Sequence, residues 1–244
     1  MILADSIGFA ATHTISSILA EIPDADVSHG SKNFQEKVPL GVNDTALPDF
    51  LDEMRHRKGH GARPYAIHAV YEPGQGKAIC KMKGVKHMII VREPIKQIQS
   101  CYAWIVKKVL AGDVRAQEKL VMFDREVLQG QPSVANSFPN ALFTFATNHV
   151  MAYSTAAIQA GCEIVQMERL VSDEAYFRDA FAVPEAAVLS HFAGENVHRA
   201  SHKGKVSALG VAQPDEDAIL KLFNWDLGDR TLDFQGVREA LGYV

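Results

Sequence analysis

Short apolar runs alternate along this chain with stretches whose apolar residues recur at helical spacing. Met1–Ala4 is the first run. Ile15, Ile18, Leu19 and Ile22 then mark one side of a helix predicted over Ile15–Ile22. Ala25–Ser28 reads as a second strand, and Leu47, Phe50, Leu51 and Met54 form the inner face of a helix opening near Asp44. Tyr65–Tyr71 is a third strand, followed by a turn at Glu72–Gly74, and Lys81–Val85 leads into the fourth. That fourth run, Met88–Val91, is unbroken and partly β-branched, the pattern of a strand buried on both faces. Pro94 suits a first helical position, and Ile95, Ile98, Tyr102, Val106 and Val109 follow at helical spacing. The helical pattern over Val106–Gly130 breaks at Gly112–Asp113, and Gly130–Pro139 is rich in turn residues. Ala141–Ala160 is a long apolar helix ended by Gly161, and Cys162–Met167 is a fifth strand. The alternation predicts an α/β fold: a mainly parallel sheet of about five strands, helices on both faces, in one domain over residues 1–244.

Composition narrows the class without naming a chemistry. An apolar fraction of 47% and a charged fraction of 22% are those of a globular protein. A formal charge of −4 argues against nucleic acid as a partner. Cys80, Cys101 and Cys162 are widely spaced in apolar surroundings and read as reduced core thiols, with no disulfide framework or metal site expected. No apolar run approaches a membrane span, and the first residues lack the basic start of a signal peptide. A cytoplasmic protein without membrane association is therefore expected.

Three segments carry candidate chemistry. Arg92 stands at the carboxyl end of the fourth strand and Ser100 lies eight residues on along the next helix. Such a pair suits an anion in the crevice above a parallel sheet, the guanidinium giving a two-pronged grip and the hydroxyl a further donor. The competing reading is an ordinary junction in which Arg92 pairs with Glu93. The second segment, Asp5–Thr14, joins a strand to a helix through small residues and aims N–H groups at an anion. A nucleotide kinase would place Gly-Lys-Ser/Thr here, and that lysine is missing. The third is His198–Lys205, a basic, glycine-containing loop that also reads as an exposed basic turn.

Together these segments resemble the sulfotransferases that use 3′-phosphoadenosine 5′-phosphosulfate (PAPS). In that family an Arg-Asp/Glu-Pro triplet closes a hydrophobic strand and a serine follows at this spacing, as Arg92, Glu93, Pro94 and Ser100 do here. The resemblance implies that Arg92 and Ser100 hold the 3′-phosphate, with Lys203 and Gly204 closing from the far side where the family has Arg-Lys-Gly. It implies that Gly8, Ala11, Thr12, His13 and Thr14 wrap the 5′-phosphosulfate. The family's basic loop residue falls at about Ala11, where this chain departs. Either His13 or Lys32 supplies the charge, or activity is weak or lost. Glu168, Leu170 and Asp173 match a Glu-Asp-Leu-x-x-Asp segment after a late strand, with Ser172 or Asp173 capping the next helix. The strand before the arginine strand commonly delivers the catalytic histidine, which points to His68 as the base. His29, in a polar loop near Lys32, is the second candidate, and His68 also has a reading as a satisfied core histidine.

The expected activity is sulfuryl transfer from PAPS to a hydroxyl or amine of a small-molecule or glycan acceptor, with no metal. The alternative is a P-loop-like nucleotide-binding protein, either a small-molecule kinase or an inactive relative. The missing lysine favours the inactive relative over the kinase.

Overall fold

The computed structural model describes residues 1–30, 32–33, 46–56, 63–123, 137–193 and 209–243. In chain order its elements are β1 (Ile2–Asp5), α1 (Thr12–Leu19), β2 (Ala25–His29), β3 (Lys32–Asn33), α2 (Leu47–His56), β4 (Arg63–Ile67), α3 (Pro73–Lys83) and β5 (Lys86–Val91). Then come α4 (Pro94–Leu110), α5 (Val114–Phe123), α6 (Phe138–Gln159), β6 (Glu163–Gln166), α7 (Met167–Ser172) and α8 (Glu174–Phe181). The last are α9 (Glu216–Leu220), β7 (Trp225–Asp226), β8 (Thr231–Leu232) and α10 (Phe234–Ala240). They form two compact units, Met1–Arg92 with Ala156–Arg199, and Glu93–Thr155 with Ala200–Val244.

The first unit holds the sheet, in the order β3-β2-β4-β1-β5-β6. Five of its strands run parallel, and the two-residue β3 is an antiparallel edge on β2. Side chains alternate across a strand, so each strand feeds two cores. Ile2, Ala4, Val27, Tyr65, Ile67, Met88 and Ile90 pack on one face with Ile15, Ile18 and Leu19 of α1 and with Phe177 and Phe181 of α8. On the opposite face Leu3 and Ala66 meet Phe50, Leu51 and Met54 of α2 and Cys80 of α3. The α/β fold expected from the alternating pattern is thus present, with helices on both faces.

Where the elements differ from expectation, a local cause is visible. A helix, α3, occupies Pro73–Lys83 where a turn was expected. Glu72 opens it by accepting from the N–H groups of Gly74 and Gln75, and Pro73 sits at its first position. Its buried face is made of Pro73, Gly76 and Cys80, small residues that give little hydrophobic periodicity. Strand β4 stops at Ile67, short of the Tyr71 that was expected, because the backbone turns left-handed at His68 and again at Val70. Helix α1 begins at Thr12, earlier than the Ile15 expected, and the residues from Met167 fold as α7. Asp173 caps α8 by accepting from the Tyr176 N–H, the one of the two proposed caps that does so.

His87 of β5 lies against Gly76, whose added Cβ would stand 3.1 Å from its Nε2, and its Nδ1 is buried without a hydrogen-bond partner among the described residues. Burial, with Lys77 adding to it, holds its pKa down at about 4 against an ordinary 6.5. The folded state therefore favours neutral His87. Its contribution is complete above about pH 6.5 and is lost as pH falls toward 4. A His87→Leu protein is expected to lose on the order of 1–2 kcal/mol less stability than the native chain between pH 7.5 and 4.5, allowing for partial solvent screening. Chemical denaturation at the two pH values measures this, and parallel losses in both proteins would refute it.

The second unit is mainly helical. Tyr102 of α4 meets Phe143 of α6 edge to face at 5.6 Å between centroids. Glu93 caps α4 at the Lys96 N–H and pairs with Arg238 of α10 at 3.0 Å. A two-stranded ribbon of β7 and β8 leads into α10, which Asp233 caps at the Gly236 N–H. Cys80 and Cys101 are buried free thiols and Cys162 is a partly buried one. Among the described residues no helix is long and apolar enough to cross a membrane.

Candidate functional site

In the first unit the chain leaves the neighbouring carboxyl ends of β1 and β4 toward opposite faces. After β1 it enters α1 on one face, and after β4 it enters α3 on the other. Divergence of this kind opens a crevice outside the strand ends, the place where α/β sheets bind ligands. The loop 6–11, His29 with Gly30, and residues 68–71 all lie at this edge, since β1, β2 and β4 run parallel and end there.

Asp5, the last residue of β1, organises the edge. Its carboxylate is fully buried and accepts from the N–H groups of Ser6 at 2.8 Å, Val70 at 2.6 Å and Tyr71 at 2.7 Å. Burial raises its pKa and outweighs these three bonds and the nearby His68, all of which act to lower it. The carboxylate ties the loop after β1 to the turn after β4. Both His68 and Val70 have positive φ, 58° and 60°. That is an unusual conformation for any residue but glycine, and most of all for a β-branched valine. Strain of this size, about 1–3 kcal/mol per residue, persists where surrounding bonds over-determine it and clusters at functional sites.

His68 is consequently held in one orientation. Its Nδ1 lies 2.7 Å from the Ser6 carbonyl oxygen. A carbonyl can only accept, so Nδ1 carries a proton, and in the neutral ring the lone pair is on Nε2. The Nε2 side of the ring faces Gly8: a Cβ there would stand 3.3 Å from His68 Cε1 and 3.8 Å from Nε2. Gly8 also has a φ of 101°, which disfavours any side chain. Gly8→Ala is expected to destabilise the protein by more than ~1 kcal/mol and to shift His68. A urea titration paired with histidine NMR resonances checks it, and an unchanged midpoint with an unmoved His68 signal would contradict the packing described.

Two further histidines join the edge. His29, at the end of β2, places Nε2 3.0 Å from the Thr12 hydroxyl. Its ring stacks on exposed His13 at 4.0 Å between centroids, with 25° between planes, and lies 5.3 Å from the ring of His68. Helix α1 opens on Ala11 in the left-handed region, with no side-chain cap and no acidic residue in its first turn. Carboxylates cap α3, α4, α8, α9 and α10. Helix α1 thus opens without a side-chain cap and without an acidic residue of its own in the first turn.

The segment expected to wrap a phosphosulfate, with Gly8, Ala11, Thr12, His13 and Thr14, therefore lies together with both candidate bases. Arg92, at the end of β5, reaches this same loop and donates from an Nη to the Phe9 carbonyl at 3.3 Å. Ser100 is half-buried on α4, in the second unit. Lys203 and Gly204 lie outside the described residues, as does the side chain of Lys32. Glu93 accepts from the Lys96 N–H and from Arg238. Sequence reasoning missed Asp5. A carboxylate closing an otherwise apolar strand was the available signal. Among the described residues no group of three His, Cys, Asp or Glu side chains is placed to hold a metal ion.

No known protein-family model matches this chain, and no curated protein matches its sequence.

Proposed function

We propose that the protein is a PAPS-dependent sulfotransferase with His68 as its general base. The observation that carries the reading is the orientation of His68. Its Nδ1–H is committed to the Ser6 carbonyl, and its Nε2 side is turned to the glycine of the strand-to-helix loop. Support also comes from the order of elements. The histidine follows β4, the strand that precedes the arginine-ended β5 in the chain, as the family resemblance anticipates. The loop fits an anionic group in its small residues, its glycine and its uncapped helix, and departs from the family in having Ala11 where a basic residue stands.

In this reading the co-substrate supplies an activated sulfuryl group whose S–O bond to the 5′-phosphate breaks as the acceptor oxygen or nitrogen bonds to sulfur. His68 takes the acceptor's proton at Nε2, and an imidazole is well matched to that task near neutral pH. Thr12, Thr14 and the first-turn N–H groups of α1 face the charge that develops on the departing phosphate oxygen. Arg92 braces the loop through Phe9, and the family resemblance assigns it, like Ser100, Lys203 and Gly204, to the 3′-phosphate. The acceptor is a small molecule or a glycan. The second reading is a nucleotide-binding protein without turnover, and the observation that favours it is Ala11 itself.

Ligand-dependent melting tests both. PAPS and adenosine 3′,5′-bisphosphate are each expected to stabilise the protein by about 3–4 kcal/mol at 100- to 1,000-fold excess over Kd, and ATP by much less. Arg92→Ala should remove most of the shift given by the 3′-phosphorylated nucleotides and little of that given by adenosine 5′-phosphosulfate. Stabilisation by ATP alone would overturn the sulfotransferase reading, and equal losses for both nucleotide types would overturn the role of Arg92.

A further inference from the structure

We infer, resting on the sulfotransferase reading, that His13 and His29 together replace the missing basic residue of the loop, so that capture of the phosphosulfate is coupled to proton uptake. The observation is the stacked pair itself: two imidazoles 4.0 Å apart and 25° from parallel, joined to the loop through His29 Nε2 and the Thr12 hydroxyl at 3.0 Å. Two imidazolium rings so close repel each other, so the pair does not readily hold two protons by itself. An anion lying against both rings removes that penalty and draws a proton in as it binds. Protonation also fixes the direction of the hydroxyl bond. A charged His29 donates from Nε2 to Thr12 Oγ1, and the hydroxyl proton is then directed to the ligand.

The other charged groups of this edge are Asp5, whose pKa burial raises, Arg92, which donates to the Phe9 carbonyl, and Lys32, which stands opposite His29 in the β2–β3 ladder. Glu168 and Arg169 are carried by α7, which packs on α1. Among the described residues His68 is the further imidazole of this edge, 5.3 Å from His29, with its Nδ1 proton committed to Ser6. A loop lysine would bind the same anion at nearly constant strength from pH 6 to 8, whereas the histidine pair binds it only as it becomes charged.

The test uses adenosine 5′-phosphosulfate, whose charge is constant over this range, with adenosine 3′,5′-bisphosphate as the second ligand. Calorimetric titration of the full chain between pH 6 and 8 should show affinity for the phosphosulfate rising about tenfold for each unit of falling pH above the pair's titration. Heats in two buffers of different ionisation enthalpy should count close to one proton taken up. His13→Lys should bind with little pH dependence and little proton uptake, and His13→Asn should bind weakly throughout. Because His13 is exposed, neither change disturbs the core. Flat affinity in the native protein, or an unchanged slope in His13→Lys, would overturn the inference and leave the sulfotransferase reading standing. Failure of both nucleotides to bind at every pH would overturn the two together.

Discussion

A His68→Gln protein is expected to lose between about 10²- and 10⁴-fold in turnover, the range that a positioned general base contributes. Its affinity for adenosine 3′,5′-bisphosphate should change by less than about threefold, because removing the base leaves the loop and Arg92 in place. The expectation rests on the tautomer set by Ser6, which directs the reactive nitrogen to the loop. Release of adenosine 3′,5′-bisphosphate from PAPS in the presence of acceptor gives the rate, and melting confirms that the variant is folded. Glutamine is preferred to alanine because it can keep a donor toward the Ser6 carbonyl without supplying a base. Should His29→Asn lose turnover and His68→Gln keep it, the base is His29 and Thr12 its partner. If both variants turn over at near-native rates, the histidine mechanism is wrong.

The second large effect concerns Asp5, which fixes the turn that carries His68, the proposed base. Asp5→Ala is expected to destabilise the protein by about 2–4 kcal/mol, because it leaves one buried and two partly buried N–H groups without their acceptor. Asp5→Asn should cost less, about 1–3 kcal/mol. Its carbonyl oxygen can serve Ser6 and Val70, while its amide meets the Tyr71 N–H donor to donor. The pH dependence has a definite sign. Burial raises the folded pKa of Asp5, so ionisation of this carboxylate opposes folding as pH rises through that value, and none of its contribution is lost on acidification. The native protein should therefore gain on Asp5→Asn as pH falls. Guanidinium titrations at pH 7 give the stabilities, and turnover of Asp5→Asn reports the loosened turn at His68. A variant within 0.5 kcal/mol of native, as ordinary surface substitutions are, would remove Asp5 from this role.

Residues whose environment is local were legible in the sequence. Met88–Val91 announced a strand buried on both faces because each of the four positions is apolar, and all four are buried. The α/β class followed from the alternation of such runs with helical spacing. Helix α3 was not legible from periodicity, because its inner face is Pro73, Gly76 and Cys80, with Gly76 fitting against His87. Glu72 and Pro73 were the only cue. The end of β4 was hidden for a different reason. Ala69 to Tyr71 are apolar enough to extend a strand, and it is Asp5, from far earlier in the chain, that turns them out of the sheet. The stack of His13 on His29 was beyond any motif, since one sits on a helix and the other on a strand joined only by the fold. Gly8, Thr12, His29 and His68, singled out from the sequence, lie in the first unit at the edge where β1, β2 and β4 end.

The position of β6 has a consequence for how the sheet is made. Its partner β5 is complete at Val91, yet β6 begins at Glu163, so residues 92–162 must leave the ribosome before the two can pair. Until then Met88–Val91 presents an apolar strand with an open edge, the kind of segment that recruits other chains. Closing so long an excursion makes this pairing a non-local and therefore slow event. The outermost parallel strand is thus the step at which synthesis speed, chaperone access and aggregation compete.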